Sequence, residues 1–488
     1  MNDAETLWLT IDQGGHASRV IVYDPRGEPV ATAAAPITTV RPGPDRVEHD
    51  GEEIVRSVRT TLDAVASTLG TDTRRVQAAG LATQRSSVIA WDRVSGTPLS
   101  PVLSWQDRRA AAWLAALPAH EPPIADTTGL VCSPHYGASK LRWLLDHVGS
   151  VQHAAAEGRL AFGPLASFLL HRLTRERPFL VDPANASRTL LCDWRTGTWA
   201  SSLLTHFGID PATLPQCVAS RGDFGSLDHP DLGGVPVRVM TGDQSAAIFA
   251  SGVPAPAQTL VNVGTGAFVQ RLTQVPPDTA GGLLRSIVWR DDTVTHFALE
   301  GTVNGAGAAI DEVAAMVGVD PADAIRRLPA ALDAATPPPL FLNGVGGLGS
   351  PYWRPDFTSR FIGEGATTER LAAVVESIAF LLAVNIGVIE ATLGPTATLL
   401  VTGGGATLDG LLQRLADLTG RWVERPAERE ATTRGLAFFL SQSRAWTASP
   451  VERFSPGSNP ALHDRFARWQ RELDAALADT GESESTPG

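Results

Sequence analysis

Apolar runs broken by small residues recur along the chain, and their spacing predicts an alternating α/β protein. Leu9-Thr10-Ile11 and Val20-Ile21-Val22-Tyr23 flank a turn that contains Gly14-Gly15, the pattern of a β-hairpin. The same layout returns in the second half, where Leu260-Val261-Asn262-Val263 and Ala267-Phe268-Val269 flank Gly264-Thr265-Gly266. Two such hairpins, one opening each half, suggest duplicated domains that close on one nucleotide. Ile54, Val58, Leu62 and Val65 recur at helical spacing between Glu52 and Leu69. The continuous run Val76 to Ala82 predicts a buried strand that delivers Thr83-Gln84-Arg85-Ser86 at its C-terminal end, where ligands collect in open α/β sheets. A short hairpin, Val88 to Trp91 and Pro101 to Leu103, leads to Ser104-Trp105-Gln106-Asp107-Arg108-Arg109.

Residues 138–148 carry an amphipathic helical pattern, and residues 160–173 a strand followed by a helix. Val235 to Met240 reads as a strand ending at Thr241-Gly242-Asp243-Gln244, with a small-residue helix from Ser245 to Gly252. Val253-Pro254-Ala255-Pro256 is the best linker. The expected division is therefore 1–252, 253–447 and a tail of helical and disordered residues at 448–488. In the second half a strand is expected near 294–299, a helix start at Gly301 to Ala309, and a Gly/Pro-rich loop at 337–360. A long apolar helix follows near 371–393, then a strand, Ala397 to Val401, ending in Thr402-Gly403-Gly404-Gly405-Ala406, with a helix after it. The tail carries Leu462, Phe466, Trp469, Leu473 and Leu477 at helical spacing, and Thr480 to Gly488 reads as disordered.

With 488 residues, two domains are expected. A net charge of −12 argues against a nucleic-acid partner and against an anionic membrane surface. Of the 40 basic residues only Lys140 is a lysine, which reads as codon bias. Cys132, Cys192 and Cys217 are odd in number and lack metal spacing, which fits a reducing compartment. No secretory signal is visible at the acidic start, and Ser377 to Ile389 is too short to span a bilayer, so a cytoplasmic location with no membrane partner is expected.

Two stretches carry candidate chemistry. The tip Gly14-Gly15-His16 presents unobstructed backbone N–H groups to a polyphosphate, with Asp12 placed to hold Mg²⁺ through water and Arg19 to pair with a phosphate oxygen. Taken alone, this stretch is equally an ordinary hairpin. Asp243 taken alone is a helix N-cap, which is compatible with a second role as a base.

The ordered set Ile11-Asp12-Gln13-Gly14, Gln84-Arg85, Trp105-Gln106, Thr128-Gly129-Leu130-Val131, Asn185-Ala186-Ser187-Arg188-Thr189, Gly242-Asp243-Gln244, Gly264-Thr265-Gly266, Leu299-Glu300-Gly301, Leu348-Gly349-Ser350-Pro351-Tyr352-Trp353, Gly403-Gly404-Gly405-Ala406 and Val423-Glu424-Arg425-Pro426 resembles the FGGY carbohydrate kinases. Within that family the likeness is greatest to the glycerol kinases, and it covers roughly residues 7–445. The resemblance implies two actin-like (ribonuclease H-like) domains, the first binding the acceptor and the second the nucleotide, with ATP and sugar in the cleft between them. It implies transfer of the ATP γ-phosphoryl group to a hydroxyl of a small polyol or sugar, with glycerol to glycerol 3-phosphate as first choice. Asp243 would be the catalytic base, and Asp12 would organise Mg²⁺. Gly264, Thr265 and Gly266 would hold phosphates, and Gly307, Gly404 and Gly405 would line the nucleotide. Arg85, Ser86, Trp105, His135, Asp243, Gln244 and Phe268 would surround the acceptor. Family members form dimers and tetramers, so a homodimer or homotetramer is implied.

The sequence departs from the glycerol-kinase pattern at the acceptor and at the first hairpin. Ser86 replaces a glutamate, His135 stands where a tyrosine is usual, and Gly15-His16-Ala17 replaces Thr-Thr-Ser. Leu408 replaces an asparagine near the adenine, and Thr433-Arg434-Gly435-Leu436 departs from the last helix-start signature. A kinase for another polyol or ketose, such as erythritol or xylulose, is therefore a second reading. A catalytically weak pseudokinase that binds nucleotide or sugar is a third, and an acceptor-independent ATPase or phosphatase on the same fold a fourth.

Overall fold

Continuous apolar runs become central strands buried on both faces, and amphipathic stretches cover them. The computed structural model describes residues 6–117, 123–334, 336–441 and 446–482. Strands β1 (Leu7–Gln13), β2 (Ala17–Tyr23) and β3 (Pro29–Pro36) form an antiparallel meander. Helix α1 (Gly51–Leu69) packs on β2 and β3 through Ile54, Val58, Leu62 and Val65. It starts where the Asp50 carboxylate accepts from the Glu52 N–H at 2.8 Å, and ends at Gly70, whose φ of 55° suits a residue without Cβ. Strands β4 (Val76–Thr83) and β5 (Val237–Gly242) join in parallel, giving the order β5-β4-β1-β2-β3.

Between β4 and β5, residues 84–236 leave the sheet and build a satellite with its own core, which includes Val88, Leu103, Leu141, Phe162 and Phe207. Helix α2 (Gly137–His147) belongs to it. After β5 comes the five-residue helix α3 (Asp243–Ala247), shorter than the helix expected over 245–252.

The second sheet contains β6 (Gln258–Val263), β7 (Ala267–Thr273), β8 (Leu284–Arg290), β9 (Thr295–Val303), β10 (Thr398–Thr402), β11 (Trp422–Pro426) and β12 (Val451–Phe454). Its order is β8-β9-β7-β6-β10-β11-β12. The inner five, β9-β7-β6-β10-β11, repeat the strand directions of β3-β2-β1-β4-β5, two antiparallel pairings followed by two parallel ones. That repetition is the duplication the paired hairpins suggest.

Gly301 lies inside β9 and does not start a helix. A Cβ there would come within 2.4 Å of the Asn385 carboxamide, so the glycine lets a helix press on the strand. The helix α4 begins later (Gly307–Met316). The apolar helix α5 (Thr367–Leu393) is 27 residues long, and by length and composition it could cross a membrane. The expectation that it is too short to do so fails. What argues against a span is that 78% of its most apolar stretch is buried inside the protein.

Helix α6 (Ala431–Ser441) leaves the second sheet and packs on β1, β4 and α3 of the first. A Cβ on Gly435 would fall 1.9 Å from the Ala246 carbonyl oxygen, so only glycine permits this approach. Leu436, Phe439, Phe249, Val239 and Trp289 form one core shared by the two halves, with the Trp289 and Phe439 rings stacked at 3.6 Å. A linear cut of the chain near residue 253 does not anticipate this crossing. The segment beyond 448, expected as a tail, adds edge strand β12 and helix α7 (Pro460–Glu482) to the second half. Leu462, Trp469 and Leu473 enter the second core, and the Trp469 indole donates to the Phe341 carbonyl at 2.9 Å. The helix carries the chain through Thr480 to Glu482, where disorder was expected, and residues 483–488 lie outside the described residues.

Candidate active site

The C-terminal ends of β1, β4 and β5 converge beside the first hairpin, and each delivers a polar side chain. Asp12, near the end of β1, is paired in register with Arg19. Its Oδ1 is buried without a hydrogen-bond partner. Burial, reinforced by Asp243, pushes its carboxyl to about 7, Arg19 opposes that shift, and Glu430 adds to it. Arg19 is half-exposed, with its Nε 3.7 Å from the Glu430 carboxylate. At the tip the Gly14 N–H donates to the Ala17 carbonyl at 3.0 Å, and His16 points to solvent. Gln84 braces this tip, its backbone N–H donating to the Gln13 carbonyl at 2.8 Å.

Asp243 opens α3, and its Oδ1 accepts from the Gln244 N–H at 2.7 Å. Burial raises its carboxyl, and the Arg85 guanidinium 4.0 Å away opposes that. Arg85 also donates to the Gln244 side-chain oxygen. A Cβ on Gly242 would lie 2.5 Å from the Arg85 side chain, so that glycine makes room for the arginine. Burial beside a second guanidinium, Arg188, pulls Arg85 down to about 10, which leaves it charged at neutral pH.

Glu300, 1% exposed, reaches across from β9. It accepts from Arg188 at 2.8 Å, lies 3.7 Å from Arg85, and accepts from Gln270. The two guanidiniums hold it below the usual carboxylate range despite its burial. Arg85 Nη1, Arg188 Nε, Ser86 Oγ and Ser245 Oγ are buried without partners. Each buried polar group left so costs about 1–3 kcal/mol, a debt that a hydroxyl-rich ligand cancels.

Trp105 and His135 form an aromatic wall, rings 5.7 Å apart, with Tyr136 edge-on to His135 at 4.9 Å. Burial, together with Lys140, Arg108, Arg188 and Arg85, drives the imidazole well below its ordinary value, so it is neutral. The Trp105 N–H donates to the Ser87 hydroxyl at 3.0 Å, and that hydroxyl donates to Gln84 at 3.0 Å. Ser86 itself sits at a φ of 64°, a left-handed conformation rare for serine. Phe268 lies on β7 of the second sheet, half-buried, opposite Asn262 and Thr302 in register and two residues before Gln270.

The second hairpin turns through Gly264-Thr265-Gly266, with the Gly264 N–H donating to the Gly266 carbonyl at 2.8 Å. Helix α4 begins against it, since the Gly307 N–H donates to the Gly264 carbonyl at 2.9 Å and the Ala308 N–H to Thr265 at 3.0 Å. A Cβ on Gly307 would press on that carbonyl at 2.9 Å, so this glycine has a packing reason of its own. Gly403 and Gly405 are packed against Val263, whereas Gly404 faces open space. Among the described residues no group of three or more His, Cys, Asp or Glu side chains is arranged to hold a metal ion.

The sequence reading assigned no role to Gln84, Arg188, Glu300 or Glu430. The available signal was a lone charge inside an apolar strand for Glu300, and the motif Asn185 to Thr189 for Arg188.

Residues 7–250 match the N-terminal domain of the FGGY family of carbohydrate kinases, and residues 259–442 its C-terminal domain. The chain is 36% identical to a glycerol kinase of Alkalilimnicola ehrlichii, covering 96% of this chain and 98% of that one. It is 33% identical to a glycerol kinase of Methylobacterium nodulans over 96% and 98%. Among solved structures, it superposes on a Plasmodium falciparum glycerol kinase with ADP at a TM-score of 0.86, with 22% identity over 97% and 98% of the two chains. A xylulose kinase of Rhodospirillum rubrum matches at 0.82, with 19% identity over 98% and 99%. At such identities the structural likeness speaks for the fold, and the family matches across nearly the whole chain say the rest: this protein belongs to the FGGY family of carbohydrate kinases.

Proposed function

We propose that this ATP-dependent carbohydrate kinase phosphorylates glycerol, with Asp243 as the base that takes the proton of the attacking hydroxyl. The observation that carries the reading is the set of unpartnered buried donors, Arg85 Nη1, Ser86 Oγ and Arg188 Nε, beside a carboxylate whose basicity burial has raised. Arg85 and Gln244 orient the hydroxyls, and Trp105 and His135 cover the carbon skeleton. The nucleotide phosphates lie between the two hairpins, Gly14-Gly15-His16 with Arg19 on one side and Gly264-Thr265-Gly266 on the other. Gly307, Gly404 and Gly405 line the rest of the nucleotide, and the open face of Gly404 leaves room for it.

The orphaned Oδ1 of Asp12 fits a Mg²⁺ ion held through water and nucleotide oxygens, the way Mg²⁺ is bound when a site offers one or two carboxylates. Such an ion supplies neutralisation of charge on the transferring phosphoryl group. Asp12 must lose its proton to receive it, and Arg19 must exchange Glu430 for a phosphate oxygen.

A second reading, a larger polyol or ketose as acceptor, is favoured by Ser86. Its short side chain occupies the place of a glutamate, so one hydroxyl loses a charged acceptor and the wall recedes. The test is ADP release from Mg·ATP across glycerol, dihydroxyacetone, tetritols, pentitols and ketoses, with Asp243→Asn as control. Turnover that is greatest on glycerol and lost in the variant supports the proposal. Greatest turnover on a tetritol or ketose establishes the second reading, and ATP binding with silence across the panel leaves a binding protein.

A further inference from the structure

In a chain whose other basic residues are all arginines, the one lysine is 0% exposed. Lys140, on α2, aims its ammonium at three backbone carbonyls: Ser104 at 2.7 Å, His135 at 2.7 Å and Ser86 at 3.2 Å. These carbonyls come from three separate segments: the turn after β4, the loop that leads into Trp105, and the turn before α2. Each segment carries a residue of the acceptor wall.

Burial, with Arg108 beside it, pushes the Lys140 amine well below its ordinary value, and the three carbonyls pull the other way. A neutral amine has two N–H groups and cannot serve three acceptors, whereas an ammonium has three, so the geometry favours the ammonium. It also explains why arginine does not replace it here. A planar guanidinium spreads its donors in a fork, and three carbonyls converging on one point need a compact tripod. The charged groups that face it are Asp107, which favours the ammonium, and Arg108 and Arg109, which oppose it; His135 beside it is neutral, and no carboxylate is in direct contact. Asp107 itself is engaged by Arg109 and the Val47 N–H.

We propose that Lys140 is a positioning residue of the acceptor site: its ammonium ties the Ser86, Ser104 and His135 segments into one wall and so sets affinity for the acceptor, not for the nucleotide. Ser86 shows what is being held, since its left-handed backbone persists only where surrounding structure enforces it. The inference rests on the acceptor site read above.

Being the only lysine, Lys140 can be observed alone. Protein grown on nitrogen-15 lysine should give a single side-chain ammonium resonance at neutral pH, protected from water exchange. It should move when the polyol that the wild-type enzyme turns over is added, and stay when Mg·ADP is added alone. Lys140→Met should raise the KM for that polyol by about tenfold or more, since small misplacements near a reacting group are costly. The KM for Mg·ATP should stay within about twofold. Lys140→Arg should fail to restore the acceptor KM. A resonance that exchanges freely, one that answers nucleotide only, or an unchanged acceptor KM in folded Lys140→Met overturns the proposal. If Lys140→Met does not fold, the wild-type resonance decides alone. If wild-type protein turns over no polyol, the acceptor site itself has been misread, and that is known before any variant is made.

Discussion

The two hairpins hold the same place in a repeated sheet and differ in turn and in chemistry. Four residues, Gly14 to Ala17, follow the last register pair Gln13–Ser18 in the first, and three, Gly264 to Gly266, follow Val263–Ala267 in the second. In the first, the side chain two places before the turn glycine is Asp12, buried among Asp243, Arg19 and Glu430. In the second it is Asn262, exposed, its amide donating to the Thr402 hydroxyl at 3.1 Å. One hairpin therefore carries a buried titratable charge, and the other an exposed neutral amide. On the proposed reading, duplication supplied two cradles, and the asymmetry between them would put metal and acceptor chemistry on the wall of the first and phosphate binding on the wall of the second.

The strongest test of that asymmetry is on the charged wall. Asp243→Asn keeps the shape of the side chain and removes the base. It should lower turnover by about 10²–10⁴-fold while nucleotide affinity changes little. ADP release and nucleotide titration measure the two separately. Loss of nucleotide affinity instead would move Asp243 from base to binding group.

Asp12→Asn comes next. It should weaken Mg²⁺-dependent nucleotide binding by about 10–100-fold, the range for groups that act on a metal through its outer shell. The pH dependence distinguishes this from a packing defect. With a carboxyl at about 7, the wild type must shed a proton to bind Mg·ATP. Apparent affinity should therefore fall as pH drops below about 7, up to tenfold per pH unit, and the variant should be flat. The stability of the free protein moves the opposite way. The folded state binds this proton between about 4 and 7 while the unfolded chain has lost it, so the stabilisation it brings is complete below the unfolded value and gone above about 7. Asp12→Asn should accordingly stabilise the unliganded protein at pH 8 by on the order of 2–4 kcal/mol, read by denaturant titration.

How much of this site was legible in the sequence follows from what each residue depends on. Asp12, Asp243 and the hairpin glycines sit at ends of apolar runs, so a local pattern reveals them. Arg85 and Trp105 could be located but not oriented. Glu300 and Glu430 act across more than a hundred residues of chain on Arg85 and Arg19, and no local spacing encodes that. Gly301 misled because a glycine in an Ala/Gly-rich stretch reads as a helix start, while its actual constraint is the side chain of Asn385. The helix start at Thr433 to Leu436 is visible, but the crossing of α6 to the first sheet is out of reach for the same reason, since Gly435 is explained only by the Ala246 carbonyl on a distant segment. Lys140 was read as composition, and only the fold shows the three carbonyls around it.

Glycine substitutions separate the hairpins at smaller amplitude. A Cβ on Gly266 would meet the Val303 carbonyl oxygen at 2.9 Å and that of Asn304 at 3.1 Å, both backbone atoms of an adjoining strand and loop. Gly266→Ala should cost about 1–3 kcal/mol of stability. A Cβ on Gly14 finds its nearest neighbour at 3.5 Å, an ordinary contact, so Gly14→Ala should stay within about 0.5 kcal/mol of wild type. Equal losses in denaturant titration would mean that the second hairpin is no more tightly seated than the first.

The mildest change tests whether position or surroundings make Asp12 what it is. Asn262→Asp installs a carboxylate at the corresponding place in the second hairpin. There it meets solvent and the Thr402 hydroxyl, which can turn its proton toward the new acceptor. With neither burial nor a neighbouring carboxylate to raise it, this group should titrate in the ordinary range and change stability by no more than about 0.5 kcal/mol between pH 5 and pH 8. A shift toward the value of Asp12 would show that the hairpin backbone perturbs a carboxylate by itself. A silent Asn262→Asp would assign the perturbation to what the first hairpin alone possesses: the closed pocket formed with α3 and the start of α6, and the charges of Asp243 and Glu430 within it.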